Sequence, residues 1–379
     1  MNFSDIIGQE QLKSRLIRSV QSGQIPHAQL FYGNEGVGAL PLAIAYAQYL
    51  NCTDRRDNDS CGECPSCIKY NKYAHPDLHF VFPIVKKKKS SGASEKDTIC
   101  DDYIPEWRGF LNQNIYFKLS SWLTEIGADN AQGSIYTAES DSILKKLNLK
   151  IYEAEYKTMI IWLPEKMQEE CSNKLLKIIE EPYDKTVFLL VSEDPERVLG
   201  TIRSRSQSLH IPPIDKENLA KAIAAKYNLS DEEMASTVHL SNGSYLKAEE
   251  VLGNNAENEE FLELFITIMR NCWTRNIKNM KAKGDYFASM GREWQKNFFS
   301  YTQHMIRENF VYRLQSKEIN YMNTAESGFS LKFSTYVNER NVIELMEELE
   351  LAERHVEQNV NPKMIFLDLS MKIAVLLKK

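Results

Sequence analysis

The chain has 379 residues, of which 43% are hydrophobic and 26% are charged, and its formal net charge is −6. This composition is that of a globular protein of two or three domains, and it disfavours a chain that holds nucleic acid mainly through its own positive charge. No apolar stretch is long enough to cross a bilayer, and the start, MNFSDIIGQEQ, has neither the basic nor the apolar region of a secretory signal. We therefore expect a cytoplasmic protein without a membrane segment.

The first two hundred residues alternate short apolar runs with helical patterns. Buried strands are predicted at 28–33, 77–85, 157–163, 186–192 and 206–211, and helices at 40–51 and 171–181. Strands that alternate with helices are typical of a parallel sheet covered on both faces. The sequence therefore predicts an α/β domain over residues 1–213.

A glycine-rich loop joins the first of these strands to the next helix. Gly33, Gly36 and Gly38 fit a phosphate-binding loop, G-x-x-x-x-G-K-[ST], but Ala39 and Leu40 replace its lysine and hydroxyl residue. The lysine would neutralise the β- and γ-phosphates and the hydroxyl would ligate Mg²⁺, so the loop should not support phosphoryl transfer. Its N–H groups could still attract an anion. The alternative is a chance glycine turn, which the flanking strand and helix disfavour.

Four of the seven cysteines lie within sixteen residues, in the pattern Cys52-x8-Cys61-x2-Cys64-x2-Cys67. Four thiolates in a tetrahedral array suit Zn²⁺, and a site with every position filled is structural rather than catalytic. Unmetallated thiols and an iron–sulfur cluster are the alternatives. The remaining cysteines are isolated and are expected to be ordinary thiols: Cys100, Cys171 and Cys272.

Residues 86–132 show little periodicity at first and are interpreted as an insertion. The segment opens with the lysine run Lys86–Lys89, which could touch phosphate but is better explained as an exposed loop.

A second loss of hydrolytic groups falls on the strand at 157–163. ATPases of this architecture end a strand in acidic residues that hold Mg²⁺ and activate water, whereas this strand ends in Trp162, Leu163 and Pro164. Glu165 follows too late to be the obvious replacement. Losses on two strands indicate a core kept for its shape, so we expect ATP to be bound weakly or not at all.

The stretch TIRSRSQSLHI places Ser204, Arg205 and Ser206 on a turn just before the last strand. Arginine is always charged, and its planar group suits the oxygens of a γ-phosphate held by a neighbouring molecule. The alternative is that Arg203 or Arg205 pairs with a carboxylate of its own chain. The missing catalytic groups favour a finger supplied in trans.

After Pro212 and Pro213 the pattern is helical to the end of the chain. Three short helices are predicted over residues 214–255, with Asp215 as an N-cap, and longer helices follow over residues 256–379. The sequence therefore predicts a small helical domain and an all-α C-terminal domain.

Taken together, these stretches resemble the delta-prime subunits of bacterial DNA polymerase III clamp loaders, within the AAA+ superfamily. The resemblance covers most of the chain and fails mainly in 86–132 and 270–340. Besides the cysteine module, it is carried by IIGQEQLKSRL, IPHAQLFYGNEGVG, HPDLHFV, SNKLLKIIEEP, SEDPERVLGTIRSRSQ, GSYLKAEEVL and NPKMIFLDLSMKI.

The resemblance implies an AAA+ module with a lid over 214–255 and a C-terminal collar over 256–379. Such subunits hold a ring of ATPase subunits without hydrolysing ATP, and they carry a zinc module and a serine-arginine-cysteine finger motif. That motif maps to Ser204, Arg205 and Ser206, so serine replaces the cysteine here. The sensor arginine of the family falls on Leu246, beside Lys247, which is a third missing contact to ATP.

We therefore expect a stator subunit that is not catalytic alone and that acts within a DNA polymerase holoenzyme. Its expected partners are the gamma/tau and delta subunits, the sliding clamp indirectly, and primer-template DNA through the complex. Two alternatives remain. An active gamma/tau-type ATPase subunit is disfavoured by Ala39 and Leu40, and a zinc-dependent nucleic-acid-binding module is disfavoured by the acidic balance.

Overall fold

A computed structural model describes residues 1–86, 98–129, 131–253, 255–314, 320–322 and 324–379. The chain forms two compact units, Met1–Glu249 and Glu250–Lys379. None of the helices within these described residues has the length and apolar content that crossing a bilayer requires.

A five-stranded parallel sheet forms the centre of the first unit. Its strands stand in the order β2-β3-β4-β1-β5, and every neighbouring pair is parallel. All residues of β3 and β4 are buried, which is the reason for the continuous apolar runs MIIW in β3 and VFLLV in β4. The strands are β1 (Ala28–Tyr32), β2 (Leu78–Val81), β3 (Lys157–Trp162), β4 (Thr186–Ser192) and β5 (Gln207–His210).

The predicted parallel α/β sheet is confirmed, and the strand predicted at 77–85 is the one that is shortened most. The run at 77–85 pairs as a strand only to Val81. Further along the run, Ile84 forms an isolated antiparallel bridge with Ser134. The chain therefore leaves the sheet at Phe82 and turns toward the following segment.

Helices precede, connect and follow the strands of this sheet. They are α1 (Glu10–Gln21), α2 (Ala39–Leu50), α3 (Pro65–Asn71), α4 (Ile104–Gln113), α5 (Leu119–Glu125), α6 (Thr137–Asn148), α7 (Glu169–Glu180), α8 (Gly200–Arg203), α9 (Lys216–Ala224), α10 (Asp231–Ser241) and α11 (Tyr245–Gly253). The last three are the helices expected after the double proline, and the side chain of Asp215 accepts a hydrogen bond from the N–H of Asn218, as an N-cap does.

The segment interpreted as an insertion is more ordered than its sequence suggested. It carries α4 and α5, whose aromatic residues join the core of the unit. Trp107 stacks on Phe82 at 4.2 Å between ring centroids and meets Trp122 edge-on at 4.9 Å. Large aromatic contacts give a short segment the apolar burial that its weak periodicity does not reveal. Lys87, Lys88 and Lys89 of the lysine run lie outside the described residues.

The second unit is helical throughout its described residues. Its core is rich in phenylalanine, with Phe265, Phe287 and Phe298 fully buried. Helix α14 packs against α16, and α13 packs against α17. The helices are α12 (Asn255–Thr274), α13 (Ile277–Ser289), α14 (Arg292–Arg313), α15 (Thr324–Phe333), α16 (Val342–Glu357) and α17 (Pro362–Leu376).

Candidate nucleotide pocket, metal centre and arginine turn

The glycine-rich loop lies at the carboxyl end of β1, between β4 and β5 in the sheet, where parallel sheets usually bind their ligands. Gly36 and Gly38 have φ angles of +81° and +92°, which side-chain-bearing residues rarely adopt. Ala39 begins α2, and Leu40 is buried in its first turn. The backbone of a phosphate loop is therefore present, while its first helical turn is apolar.

The space beside this loop is too small for a nucleotide. It measures about 40 Å³, whereas pockets for organic ligands hold about 300–1,000 Å³. The pocket brings together the three predicted losses, because Ala39 and Leu40, Trp162 and Leu246 all line it. It is also lined by Ile115, Tyr116 and Phe117, which join α4 to α5.

Tyr116 lies directly against the phosphate loop. A Cβ atom added at Gly38 would lie 2.9 Å from the Tyr116 Oη atom. That hydroxyl accepts a hydrogen bond of 3.0 Å from the backbone N–H of Ile7, and the ring meets that of Tyr245 at 5.1 Å. Burial raises the pKa of the Tyr116 hydroxyl well above its ordinary value. The side chain thus contacts the N-terminal segment, the phosphate loop and the start of α11.

Aromatic rings also cover the end of β3, where acidic residues were expected in an ATPase. The ring of Trp162 lies 5.1 Å from that of Phe117 and 5.4 Å from that of Trp107. Glu165 turns away from this position, because its Oε1 atom accepts hydrogen bonds from the N–H groups of Glu193 and Asp194. The end of the strand is therefore an apolar surface rather than a ligand for Mg²⁺.

Glu193 follows β4 and lines the same pocket. Burial, together with the neighbouring carboxylates of Glu35 and Glu165, raises its pKa to about 8. Lys118, whose charge opposes this shift in pKa, is paired with Glu35 at 3.3 Å between Nζ and Oε2. At neutral pH the carboxyl group of Glu193 is thus largely protonated, so it adds little negative charge to the pocket.

The start of α11 closes the pocket from the other side. The Ser244 hydroxyl donates to the carbonyl of Glu35 at 2.8 Å, and the N–H of Tyr245 donates to the carbonyl of Gly36 at 3.0 Å. A Cβ atom added at Gly36 would lie 3.1 Å from the Cβ atom of Leu246. Leu246, which stands at the expected sensor position, therefore packs on the loop instead of presenting a charge to it.

The four clustered cysteines form a candidate metal centre. Their Sγ atoms all lie within 4.8 Å of one another, and those of Cys52 and Cys61 are 3.6 Å apart. A tetrahedral Zn²⁺ site with bonds of about 2.3 Å places its sulfur atoms about 3.8 Å apart, so the cluster has the right size. A disulfide would need about 2.05 Å. The described geometry thus fits four thiolate ligands better than paired cysteines.

The backbone around the cluster is also arranged for a metal. The N–H groups of Cys61, Cys64 and Cys67 point at ligand sulfur atoms over 3.2–3.4 Å. Such N–H groups stabilise negative charge on a metal-bound thiolate. Gly62 turns the chain between ligands with a φ angle of +77°. The three isolated cysteines are buried outside this cluster.

Arg205 lies on the turn between α8 and β5, as expected. Its Nε atom contacts the Oε2 atom of Glu180 at 2.7 Å, and its Nη1 atom donates to the carbonyl of Thr201 at 3.1 Å. Arg203 pairs with Glu196 at 2.6 Å. In the chain by itself both arginines thus make the intramolecular pairs that the sequence left as the alternative. Arg205 is not among the residues that line the pocket.

The insertion's contribution to the pocket was missed at the level of sequence. Ile7 and Tyr116 are 109 positions apart, and no local pattern links them. The available signal was the spacing of Trp107, Phe110 and Leu111, which predicts one apolar face of a helix.

Comparison with known proteins identifies the family. A family model described as "DNA polymerase III, delta subunit" matches residues 8–215, which is more than half of the chain. The delta-prime subunit of Escherichia coli DNA polymerase III is 24% identical over 232 residues, covering 61% of this chain and 55% of that protein. The Bacillus subtilis delta-prime subunit is 26% identical over 206 residues, covering 54% of this chain and 48% of that protein.

The tau/gamma subunit of Haemophilus influenzae DNA polymerase III is 24% identical over 222 residues, covering 59% of this chain and 25% of that protein. The matched part of the chain thus spans about half the length of the two delta-prime relatives. Together with the family match, these similarities show that the chain belongs to the delta-prime family of DNA polymerase III clamp-loader subunits.

Proposed function

We propose that this chain is a non-hydrolysing stator of the clamp loader, which helps to place the sliding clamp on primed DNA. The observation that carries this proposal is the pocket at the phosphate loop. Its free volume is about 40 Å³, and Ala39 and Leu40 stand where the lysine and hydroxyl would act. Since phosphoryl transfer depends on positioning and charge, a pocket that lacks both has no means to hydrolyse ATP.

We further propose that Arg205 reaches the γ-phosphate of ATP held by an adjacent gamma/tau subunit. The pair with Glu180 is compatible with this role, because both side chains are partly exposed, at 33% and 54%. An exposed ion pair contributes only about 0–1 kcal/mol, so a phosphate can displace the carboxylate.

The C-terminal helices are proposed to form a collar with the equivalent helices of sister subunits, gamma/tau and delta. On α17, Met364, Met371 and Val375 are 65%, 48% and 58% exposed. Their spacing of seven and four residues puts them on one face of the helix. An exposed apolar face of this kind is a feature of interaction surfaces. The division into an α/β domain, a lid over 214–255 and a collar over 256–379 stays part of this proposal.

The cysteine cluster is proposed to hold a structural Zn²⁺. Cys52, Cys61 and Cys67 are buried and Cys64 is half-buried, which leaves little room for a water ligand. The metal would fix residues 52–67 against the end of α2 without taking part in a reaction. We also propose the cytoplasm as the site of action, because that is where a bacterial replication complex meets the chromosome.

The test of this function is reconstituted clamp loading with the chain's own partner subunits, clamp and primed DNA. Arg205→Ala should lower ATP turnover at the adjacent site by up to about 10³-fold, because an arginine finger supplies much of the charge stabilisation. Arg197→Ala is the matched control, since Arg197 is an exposed arginine of the same region that pairs with Asp194. Equal turnover in the two variants would refute the role of Arg205.

The similarity to a tau/gamma subunit keeps one alternative open, an active ATPase. Nucleotide turnover by the purified chain separates the two. The stator proposal expects none above background, and a rate that depends on Mg²⁺ and saturates with ATP would replace it with the ATPase.

A further inference from the structure

The segment Ile115–Phe117 occupies the side of the pocket that faces the phosphate loop. Asn114 is the C-cap residue of α4 and Lys118 is the N-cap residue of α5. The segment between them is therefore a short connection held by a helix at each end. Its three side chains do not share one environment. Ile115 is 39% exposed, whereas Tyr116 and Phe117 point into the pocket and the aromatic core beside it.

Tyr116 makes contacts in three directions. Its hydroxyl accepts from Ile7 N–H, its ring lies against Gly38, and the ring of Tyr245 packs on its other side. Phe117 adds a fourth contact, with Trp162 at the end of β3. Lys118 then fixes the end of the segment to the loop through its ion pair with Glu35.

These contacts join elements that otherwise touch the loop separately. Ser244 and Tyr245 at the start of α11 are hydrogen-bonded to the carbonyls of Glu35 and Gly36. The N-terminal segment reaches the loop through Gln9, whose Nε2 atom donates to the carbonyl of Val37 at 3.3 Å. Tyr116 is the side chain that lies between the two.

We propose that Ile115–Phe117 is a built-in strap, an intrachain occupant of the pocket that ties α11 to the phosphate loop without any nucleotide. The inference rests on the proposed non-hydrolysing function only in assuming that the pocket is not used for ATP. Two separate obstacles then prevent nucleotide binding, and both must be removed before a nucleotide can bind. One is the missing lysine and hydroxyl, and the other is the strap itself.

The first experiment uses the full chain and hydrogen exchange of the Tyr245 amide, which is bonded to Gly36. Tyr116→Ala removes the ring and the hydroxyl and should accelerate exchange of this amide at least about 10-fold, because the start of α11 loses its ring contact with Tyr116. Tyr116→Phe keeps the ring and should change it less. Tyr152→Ala is the control, since Tyr152 is 79% exposed. Unchanged exchange in Tyr116→Ala would refute the tie to α11.

The second experiment measures binding of a fluorescent ATP analogue with Mg²⁺. Ala39→Lys with Leu40→Thr restores the two missing groups but leaves the strap, so it should bind no more than the wild type. Adding Tyr116→Gly should increase binding at least about 10-fold. Strong binding by the double variant, or none gained by the triple variant, would show that the strap is not the barrier.

These outcomes are separate from those of clamp loading. A strap that fails both tests leaves the role of Arg205 standing, because that role is read from the turnover of a neighbouring subunit. Conversely, an inert Arg205 leaves the exchange and binding results unaffected.

Discussion

Replacing Gly36 by alanine tests how closely α11 presses on the phosphate loop. The φ angle of Gly36 is +81°, and a Cβ atom there would lie 2.3 Å from the Ser244 Oγ atom and 3.0 Å from the backbone nitrogen of Leu246. The left-handed backbone costs an alanine about 1–2 kcal/mol. Alanine also reduces the conformational entropy of the unfolded chain, which offsets about 0.5 kcal/mol of this cost. Displacement of Ser244 would add about 1 kcal/mol through its lost hydrogen bond to Glu35.

We therefore expect Gly36→Ala to destabilise the first unit by about 1.5–2.5 kcal/mol. Gly23→Ala is the matched control, because Gly23 also has a positive φ angle, +69°, but has no atom within 4 Å of an added Cβ. The control should show the backbone cost alone, about 1 kcal/mol. The unfolding free energy of this unit is measured by urea titration, with hydrogen exchange of the β1 and β4 amides as the signal. Equal losses in the two variants would refute the close contact between α11 and the loop.

Three further predictions concern the metal and the titratable groups. Cys64→Ser should release bound zinc and lower the melting temperature. The control is Cys272→Ala, because Cys272 is buried outside the cluster, and this variant should keep the full metal content in mass spectrometry of the intact protein. The raised pKa of Glu193, about 8, means that the folded state keeps a proton that the unfolded state releases, so stability falls as pH rises from about 4.5 to 8. Glu193→Gln should remove this loss, so in urea titrations at pH 9 the variant should be more stable than the wild type by about 1–2 kcal/mol, a figure reduced for the partial exposure of the side chain. No gain in stability at pH 9 would contradict the raised pKa of Glu193. Burial of Asp77 disfavours its charged form, but three N–H donors from residues 152–154 favour it, and the pKa of Asp77 is lowered. Asp77→Asn should therefore lower the unfolding free energy by about 1–3 kcal/mol at pH 7 and by progressively less as pH falls below 4. A loss of stability that does not depend on pH would contradict this.

The sheet and the clustering of the four cysteines could be predicted because their signals are local. The runs MIIW of β3 and VFLLV of β4 can be recognised without knowledge of distant residues, since strands buried on both faces are mainly apolar. The spacing from Cys61 to Cys67 likewise brings three thiolates to one side of a short turn. In both cases a few consecutive residues hold most of the information.

The contents of the pocket could not be predicted, because they depend on contacts between remote parts of the chain. Tyr116 meets Ile7 and Tyr245, which are more than a hundred residues away on either side. The sequence shows Ala39 and Leu40 where a phosphate-binding loop would carry its lysine and hydroxyl residue, but it gives no indication of which side chains lie in front of them. The ion pair of Arg205 with Glu180 is similar, since many carboxylates were available to that arginine.

The exposed pair of Arg205 and Glu180 also limits what this subunit can control. A side chain held in so shallow an energy well changes partners within nanoseconds and at a cost near thermal energy. Exchange of Arg205 between Glu180 and another partner is therefore too fast and too weakly biased to set the timing of the steps in a reaction cycle. If Arg205 serves a neighbour's ATP, the order of events is therefore set by how the subunits approach and separate, and the arginine only follows.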